Sequence, residues 1–342
     1  MKTRASDPAS VAVTWFPTRG EAKPLKIDEI QAQSRSRSGI LWIDCTDPTQ
    51  LNQILKQLPV DEFSGQNIRE QGGRTKLTVS GGVYQVPVFD CRLEKDSLRS
   101  EEITIAFTAR WVLTVRLGPH KTNPFPIERV RQIFAIQRIS HRSSSTGLLL
   151  WSILDTLMDR YFMVTTDVDD ELDNCEELLL DDTAQSTGRA AARESRRQSL
   201  KLFALGKALI RFRRSALPLR DVVSTIVRQE IPFIDKTVRL HFQDVADHIL
   251  RINDFVESQR DVVTGLRDAE LALTSNRLSL VQQKIAAWGS LFLIATLITG
   301  VLGMNFRDQP DLSWGSGFLV TASLILIICT PLYIFFRRRE WV

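Results

Sequence analysis

The sequence predicts an α+β cytosolic domain, a mixed sheet with helices, followed by a long stalk helix and a two-helix transmembrane region. Three observations carry that reading. Residues 285–304 and 312–336 contain no charged side chain, and a helix needs about 20 such residues to cross a ~30 Å hydrocarbon core. No proline falls between Pro232 and Pro310, so one helix can run from about Ile234 to Met304. Upstream of residue 118, short β-rich runs are broken by Gly-Gly pairs and prolines, the pattern of strands and turns.

In chain order, residues 1–24 are polar and hold no apolar run of signal-peptide length. An N-terminal α/β domain is expected over residues 1–145. Its strand-like runs are 40–45, 76–79, 83–91, 103–108 and 111–117, with Gly72-Gly73 and Gly81-Gly82 as punctuation. Asp47-Pro48 reads as a helix start, with residues 49–58 helical. From Thr146 the pattern turns helical, with Leu148, Trp151, Leu154, Leu157, Tyr161 and Val164 at 3–4 spacing. Acidic residues from Asp167 to Asp182 are answered by a basic run from Arg189 to Arg214, as in a helical hairpin with solvated charged faces. This helical and stalk region is expected over residues 146–284.

Within the stalk, Val238, Phe242, Val245, Ile249, Ile252, Val256, Val263 and Leu266 follow 4-3 spacing, the seam of a coiled coil that requires neighbours. The first span (285–304), an outer loop (305–314), a second span (315–336) and a basic tail (337–342) complete the chain. Arg337, Arg338 and Arg339 follow the second span, whereas the loop has Arg307 against Asp308 and Asp311. The positive-inside rule puts both termini in the cytoplasm.

Composition excludes several classes. With 44 Lys and Arg against 40 Asp and Glu, there is no footprint of a nucleic-acid partner. The four cysteines form no CxxC pair, which argues for free thiols and against a disulfide framework or zinc knuckle. No Walker loop, GxGxxG or HExxH occurs, so neither an enzyme nor an organic cofactor is expected.

One face of the first span is small or mildly polar: Ser279, Gln282, Ala286, Gly289, Leu293, Thr296 and Gly300. Small residues let helices approach closely in lipid. The same face suits a pore lining, which two spans per chain can form only in a symmetric ring.

The span ends in Gly303-Met304-Asn305. With this motif at a span end, a short loop, Trp314, a second span and a basic tail closing on Trp341, the chain resembles the CorA family of magnesium and cobalt transport proteins. The likeness extends to Trp42-Ile43-Asp44, to the run from Asp155 to Phe162, to the run from Asp169 to Asp173, to Pro218-Leu219-Arg220 and to the run from Phe242 to His248. The resemblance implies a homopentameric funnel in the inner membrane that conducts Mg²⁺, with Co²⁺ and Ni²⁺ as further cargo. Gly303, Met304 and Asn305 would form its selectivity filter, and Asp268 would stand near the inner pore mouth. It further implies a regulatory Mg²⁺ bound between subunits at the aspartate matching Asp244.

Asp247 and His248 neighbour Asp244 on the helix, and His241, Asp244 and His248 share i, i+3, i+7 spacing. The family's partner acid is replaced here by Asn67, which brings an oxygen but no charge. Ser279 stands where the family has Asn, and Gln282 and Leu293 where it often has Met. The alternatives are a zinc transporter of the same superfamily, whose members usually carry Gly-Val-Asn or Gly-Ile-Asn, and a membrane-tethered coiled-coil scaffold.

Overall fold

Seven segments build one sheet, ordered β2-β1-β3-β7-β6-β5-β4. The strands are β1 (Val11–Pro17), β2 (Lys23–Leu25), β3 (Gly39–Cys45), β4 (Thr78–Ser80), β5 (Val83–Glu94), β6 (Ser97–Phe107) and β7 (Trp111–Val115). The computed structural model describes residues 10–118, 124–141, 145–185, 189–229, 231–304, 314–339 and 341. Its contacts separate two compact units, Met1–Leu266 and Arg267–Val342.

The sheet is mixed, as expected: β3 pairs parallel with β7, and the other described pairs are antiparallel. Side chains alternate across it with period two. Leu41, Ile43 and Cys45 point into one core, Ile40 and Trp42 into the other. The first core is closed by α1 (Ile30–Ser34), α2 (Pro48–Gln57) and α3 (Glu62–Arg69), through Ile30, Leu51, Ile54 and Ile68. On the opposite face lie α4 (Ile127–His141), α5 (Thr146–Gln185), α6 (Arg189–Ala216), α7 (Pro218–Arg228) and the start of α8 (Lys236–Leu302).

Local chemistry explains the punctuation. Asp47 caps α2, accepting from the backbone N–H of Thr49 at 2.8 Å and its hydroxyl at 2.7 Å; these bonds hold its carboxyl below the usual range. Gly81 and Gly82 both have positive φ, 55° and 80°, between paired Ser80 and Val83. That is a two-residue hairpin turn in which any larger residue is strained.

Strands β1 and β2 were not among the sequence-predicted runs. The signal available was Val11, Val13 and Trp15 at alternate positions in a short run closed by Pro17. Gly39 makes the pairing possible: a Cβ there would lie 2.3 Å from the Phe16 carbonyl oxygen.

Two buried ion pairs lock helix to sheet and strand to strand. Arg116 on the chain after β7 grips Asp44 of β3 through Nε at 3.0 Å and Nη2 at 2.6 Å. Thr114 donates to the same carboxylate at 2.7 Å, and the Trp42 indole donates to Thr114 at 3.3 Å. Arg160 of α5 reaches Asp90 of β5 at 3.1 Å, while the Tyr161 hydroxyl donates to the Phe89 carbonyl at 2.7 Å. Residues quoted above as family-like motifs thus hold the fold together.

The stalk seam requires a correction. Its residues, expected to need neighbouring chains, are filled by this chain: Val238, Phe242, Val245, Ile249, Ile252, Val256, Val263 and Leu266 are buried in the same core as α5 and α6. Gln259 donates to the Thr165 carbonyl of α5 at 2.6 Å, and Arg213 of α6 pairs with Glu257 at 2.8 Å. A 4-3 spacing reports that a helix has a helical partner; it does not report whose. Between α5 and α6, the Lys201–Glu171 ion pair ties the charged faces of the expected hairpin together.

In the second unit, the remainder of α8 and α9 (Trp314–Arg338) are long and apolar enough to cross a membrane. Helix α8 ends at Leu302, slightly short of the expected Met304. Gly303 leaves the helix, its N–H still donating to the Thr299 carbonyl at 2.9 Å. At the far end, Trp341 stacks on Phe336 with ring centroids 5.6 Å apart.

Candidate functional site

The membrane half of α8 presents two different faces. Along one, Gln283, Ala287, Leu291, Ile294 and Ile298 are buried or half-buried. Helix α9 supplies contacts there: Trp288 meets Tyr333 with ring centroids 6.4 Å apart, and the Cys329 thiol lies 4.0 Å from the Leu291 carbonyl. Along the other, Ser279, Gln282, Ala286, Gly289, Leu293, Thr296 and Gly300 are all exposed, Leu293 at 70 %. With 3.6 residues per turn, this second face is centred roughly 130° around the helix from the first. The second span therefore leaves the predicted pore face uncovered.

Glycine confirms that the single chain does not dictate this face. A Cβ added at Gly289 or Gly300 would meet nothing within 4 Å. Their small size is not needed inside one chain; it keeps space on an open surface, as helix approach or a lumen requires. Thr296 donates its hydroxyl proton to the Phe292 carbonyl at 2.8 Å, which leaves its oxygen free to accept from water. Gly303 and Met304 follow the last helical turn, and Met304 is exposed. Asn305 lies outside the described residues. Asp268 is exposed on α8, in the same unit as the predicted pore face.

The regulatory candidates are partly brought together. Asp244 and Asp247 are exposed on α8. Asp247 borders an open groove of about 640 Å³ shared with Arg220, Asp221, Ser224 and Arg228 of α7. Asp244 instead faces α5, where it and Asp159 raise the pKa of Asp155, whose own burial is the larger cause. His248 and Arg129 act in the opposite sense on the same carboxyl. Arg129 is already committed to Asp159, through Nε at 3.0 Å and Nη2 at 2.7 Å on one oxygen.

Both histidines pack against aromatic rings: His241 on Trp151 at 4.6 Å and His248 on Phe162 at 5.7 Å between centroids. Asn67, on α3, borders a separate cleft of about 470 Å³ with Glu70, Arg74, Lys76 and Glu102. Among the described residues no three His, Cys, Asp or Glu side chains converge to hold a metal ion. One chain alone therefore does not fit the proposed regulatory Mg²⁺; ligands from a second copy would be needed. The sequence reading missed Asp155 and Asp159, although both stand at i, i+4 within a quoted motif.

The chain matches the family model described as CorA-like Mg²⁺ transporter protein over residues 37–338. It is 31 % identical over 247 residues to the cobalt/magnesium transport protein CorA of Thermotoga maritima, an alignment covering 72 % of this chain and 66 % of that one. With the cobalt/magnesium transport protein CorA of Methanocaldococcus jannaschii it shares 25 % identity over 323 residues, covering 93 % of this chain and 95 % of the relative. The complete structure of the CorA magnesium transporter from Methanocaldococcus jannaschii superposes with a TM-score of 0.78 at 21 % identity, over 98 % of this chain and all of that one.

Proposed function

The chain belongs to the CorA-like Mg²⁺ transporter family, and we propose that it forms a homopentameric channel for Mg²⁺ influx, with Co²⁺ and Ni²⁺ as further cargo. The observation that carries this reading is the uncovered face of α8 turned roughly 130° from its α9 side, with glycines that no intrachain contact demands. Five such faces turned inward enclose a path, and five α9 helices face lipid. Catalysis plays no part in this reading.

The physical chemistry follows from the cargo. Mg²⁺ gives up water reluctantly, so a ring of neutral oxygens can hold it through its hydration shell. Asn305 amides with Gly303 carbonyls at the outer end of the helix supply such a ring. Neutral donors bind weakly enough for the ion to leave again. Thr296 offers a second ring of oxygens deeper in, while Leu293 narrows the path with apolar side chains. With the basic tail and Met1–Leu266 unit in the cytoplasm of an inner-membrane protein, a negative interior drives entry. Each charge gains ~2.3 kcal/mol per 100 mV, so a dication gains about twice that.

Flux into liposomes, measured for Mg²⁺, Co²⁺, Ni²⁺ and Zn²⁺, tests cargo. Asn305→Ala is expected to keep assembly and lose Mg²⁺ flux. Unchanged flux in that variant would return Asn305 to a capping role, and preference for Zn²⁺ would move the chain to the zinc-transporting branch.

A further inference from the structure

The outer face of α6 is a second seam, on the side away from the core. Leu202, Leu205, Leu209, Phe212 and Ala216 face inward. Opposite them, Arg196, Leu200, Phe203, Lys207, Ile210 and Arg214 recur at 4-3-4-3-4 spacing and are all exposed, with Leu200 at 62 %, Phe203 at 59 % and Ile210 at 43 %. Three large apolar side chains on one line, flanked by cations, mark a contact surface and not a scatter of single residues. The helix carries Glu194 as its one acidic residue against nine arginines and lysines.

Helix α5 has the complementary surface. Its core line, Val164, Val168, Leu172, Cys175 and Leu179, is buried. Its opposite line holds Met163, Asp170, Asp173 and Glu177, all exposed. The two helices pack beside each other and share the Lys201–Glu171 pair. Each outer line points away from its own helix's core line, so one chain cannot bring the two lines together. We infer that the basic-apolar line of α6 in one copy docks on the acidic line of α5 in the next copy, a head-to-tail contact that closes into a ring.

Such a contact uses different patches on its two sides, which generates rings where the rotation closes. Opposite charges at the flanks set partner and register, and Leu200, Phe203 and Ile210 with Met163 supply the apolar centre. The inference rests on the channel reading only in requiring several copies; the channel reading does not require this particular contact.

Leu200 and Asp173 lie one and two residues from the Lys201–Glu171 pair, so they stand at the same height. In full-length protein with Cys329→Ser, where Cys45, Cys91 and Cys175 are buried, Leu200→Cys and Asp173→Cys together are expected to give a covalent ladder of multimers on mild oxidation. Either variant alone gives no ladder, and the two single variants co-expressed stop at dimers. Arg196→Glu with Lys207→Glu is expected to abolish the ladder, and added Asp170→Lys with Glu177→Arg to restore it. An assembled ring by light scattering without cross-links overturns this contact and leaves the channel standing. Monomers without cross-links overturn both. Protection of the Leu200→Cys thiol by anionic but not zwitterionic nanodiscs, again without cross-links, overturns it in favour of a lipid surface.

Discussion

Phe242→Ala distinguishes a stalk held by its own chain from one held by its neighbours. Phe242 is fully buried, at 0 % exposure, in the core that α5, α6 and α8 share. Deleting a buried Phe side chain costs ~3–5 kcal/mol, transfer and cavity together. For a unit of this size each kcal/mol lowers the midpoint by ~2–4 °C, so a fall of about 10 °C is expected. Thermal unfolding of the full-length protein in detergent, followed by near-UV circular dichroism at two concentrations tenfold apart, reads it. Because the seam is filled within one chain, the gap between variant and wild type should be the same at both concentrations. Leu240, exposed two residues earlier on the same helix, serves as control, and Leu240→Ala should shift the midpoint little. A Phe242→Ala deficit that shrinks as concentration rises, or a wild-type midpoint with lost assembly, would refute the intrachain seam.

Two further predictions concern carboxylates of α5 and of the stalk that act on one another. Burial, with repulsion from Asp159 and Asp244, raises the folded-state pKa of Asp155. The folded form then holds that proton more tightly than the unfolded one, so the stability it removes is lost as pH rises through the raised value and recovered below the ordinary carboxylate pKa of ~3.9. Asp155→Asn is therefore expected to raise the midpoint at pH 7 in chelator and to lose that advantage near pH 4; a variant less stable than wild type at pH 7 sinks the assignment. If cytosolic Mg²⁺ closes the channel through Asp244 with ligands from another copy, Asp244→Ala should raise flux at high cytosolic Mg²⁺ and change little without it. Superimposed inhibition curves for wild type and variant would remove Asp244 as sensor.

How far the sequence could be read depended on the range of the signal. The two spans, the stalk and five strands follow from local pattern: charge-free length, proline-free length, and β-branched runs between glycines. Strand β2, three residues with a proline, carries no such pattern, and β1 had only three alternating apolar residues. The ion pairs Asp44–Arg116 and Asp90–Arg160 join residues 72 and 70 positions apart, where neither partner betrays the other. The stalk seam was legible as a seam, yet its partner helix was not, because 4-3 spacing is the same for a neighbour in the chain and a neighbour in a ring. The residues proposed to line the pore share one exposed side of α8, a placement readable from the sequence because helical period alone sets it. Asn67 and Asp244 were linked by resemblance, and within one chain they border different surfaces.

The parallel pairing of β3 with β7 fixes an order of events during synthesis. Strand β3 and its antiparallel partner β1 are complete by Cys45, but the edge that β7 fills stays bare until Arg116 is made. At ~5–20 residues per second, those 72 positions take roughly 4–14 s. Throughout that interval the backbone of β3 from Leu41 to Cys45 keeps an unpaired edge, the arrangement most prone to mispair with another chain. By contrast, the last side chain of the first unit's core, Leu266, precedes the first charge-free run. The Met1–Leu266 unit can thus complete its core before either charge-free run is made, and the hazardous moment of this protein's synthesis falls early.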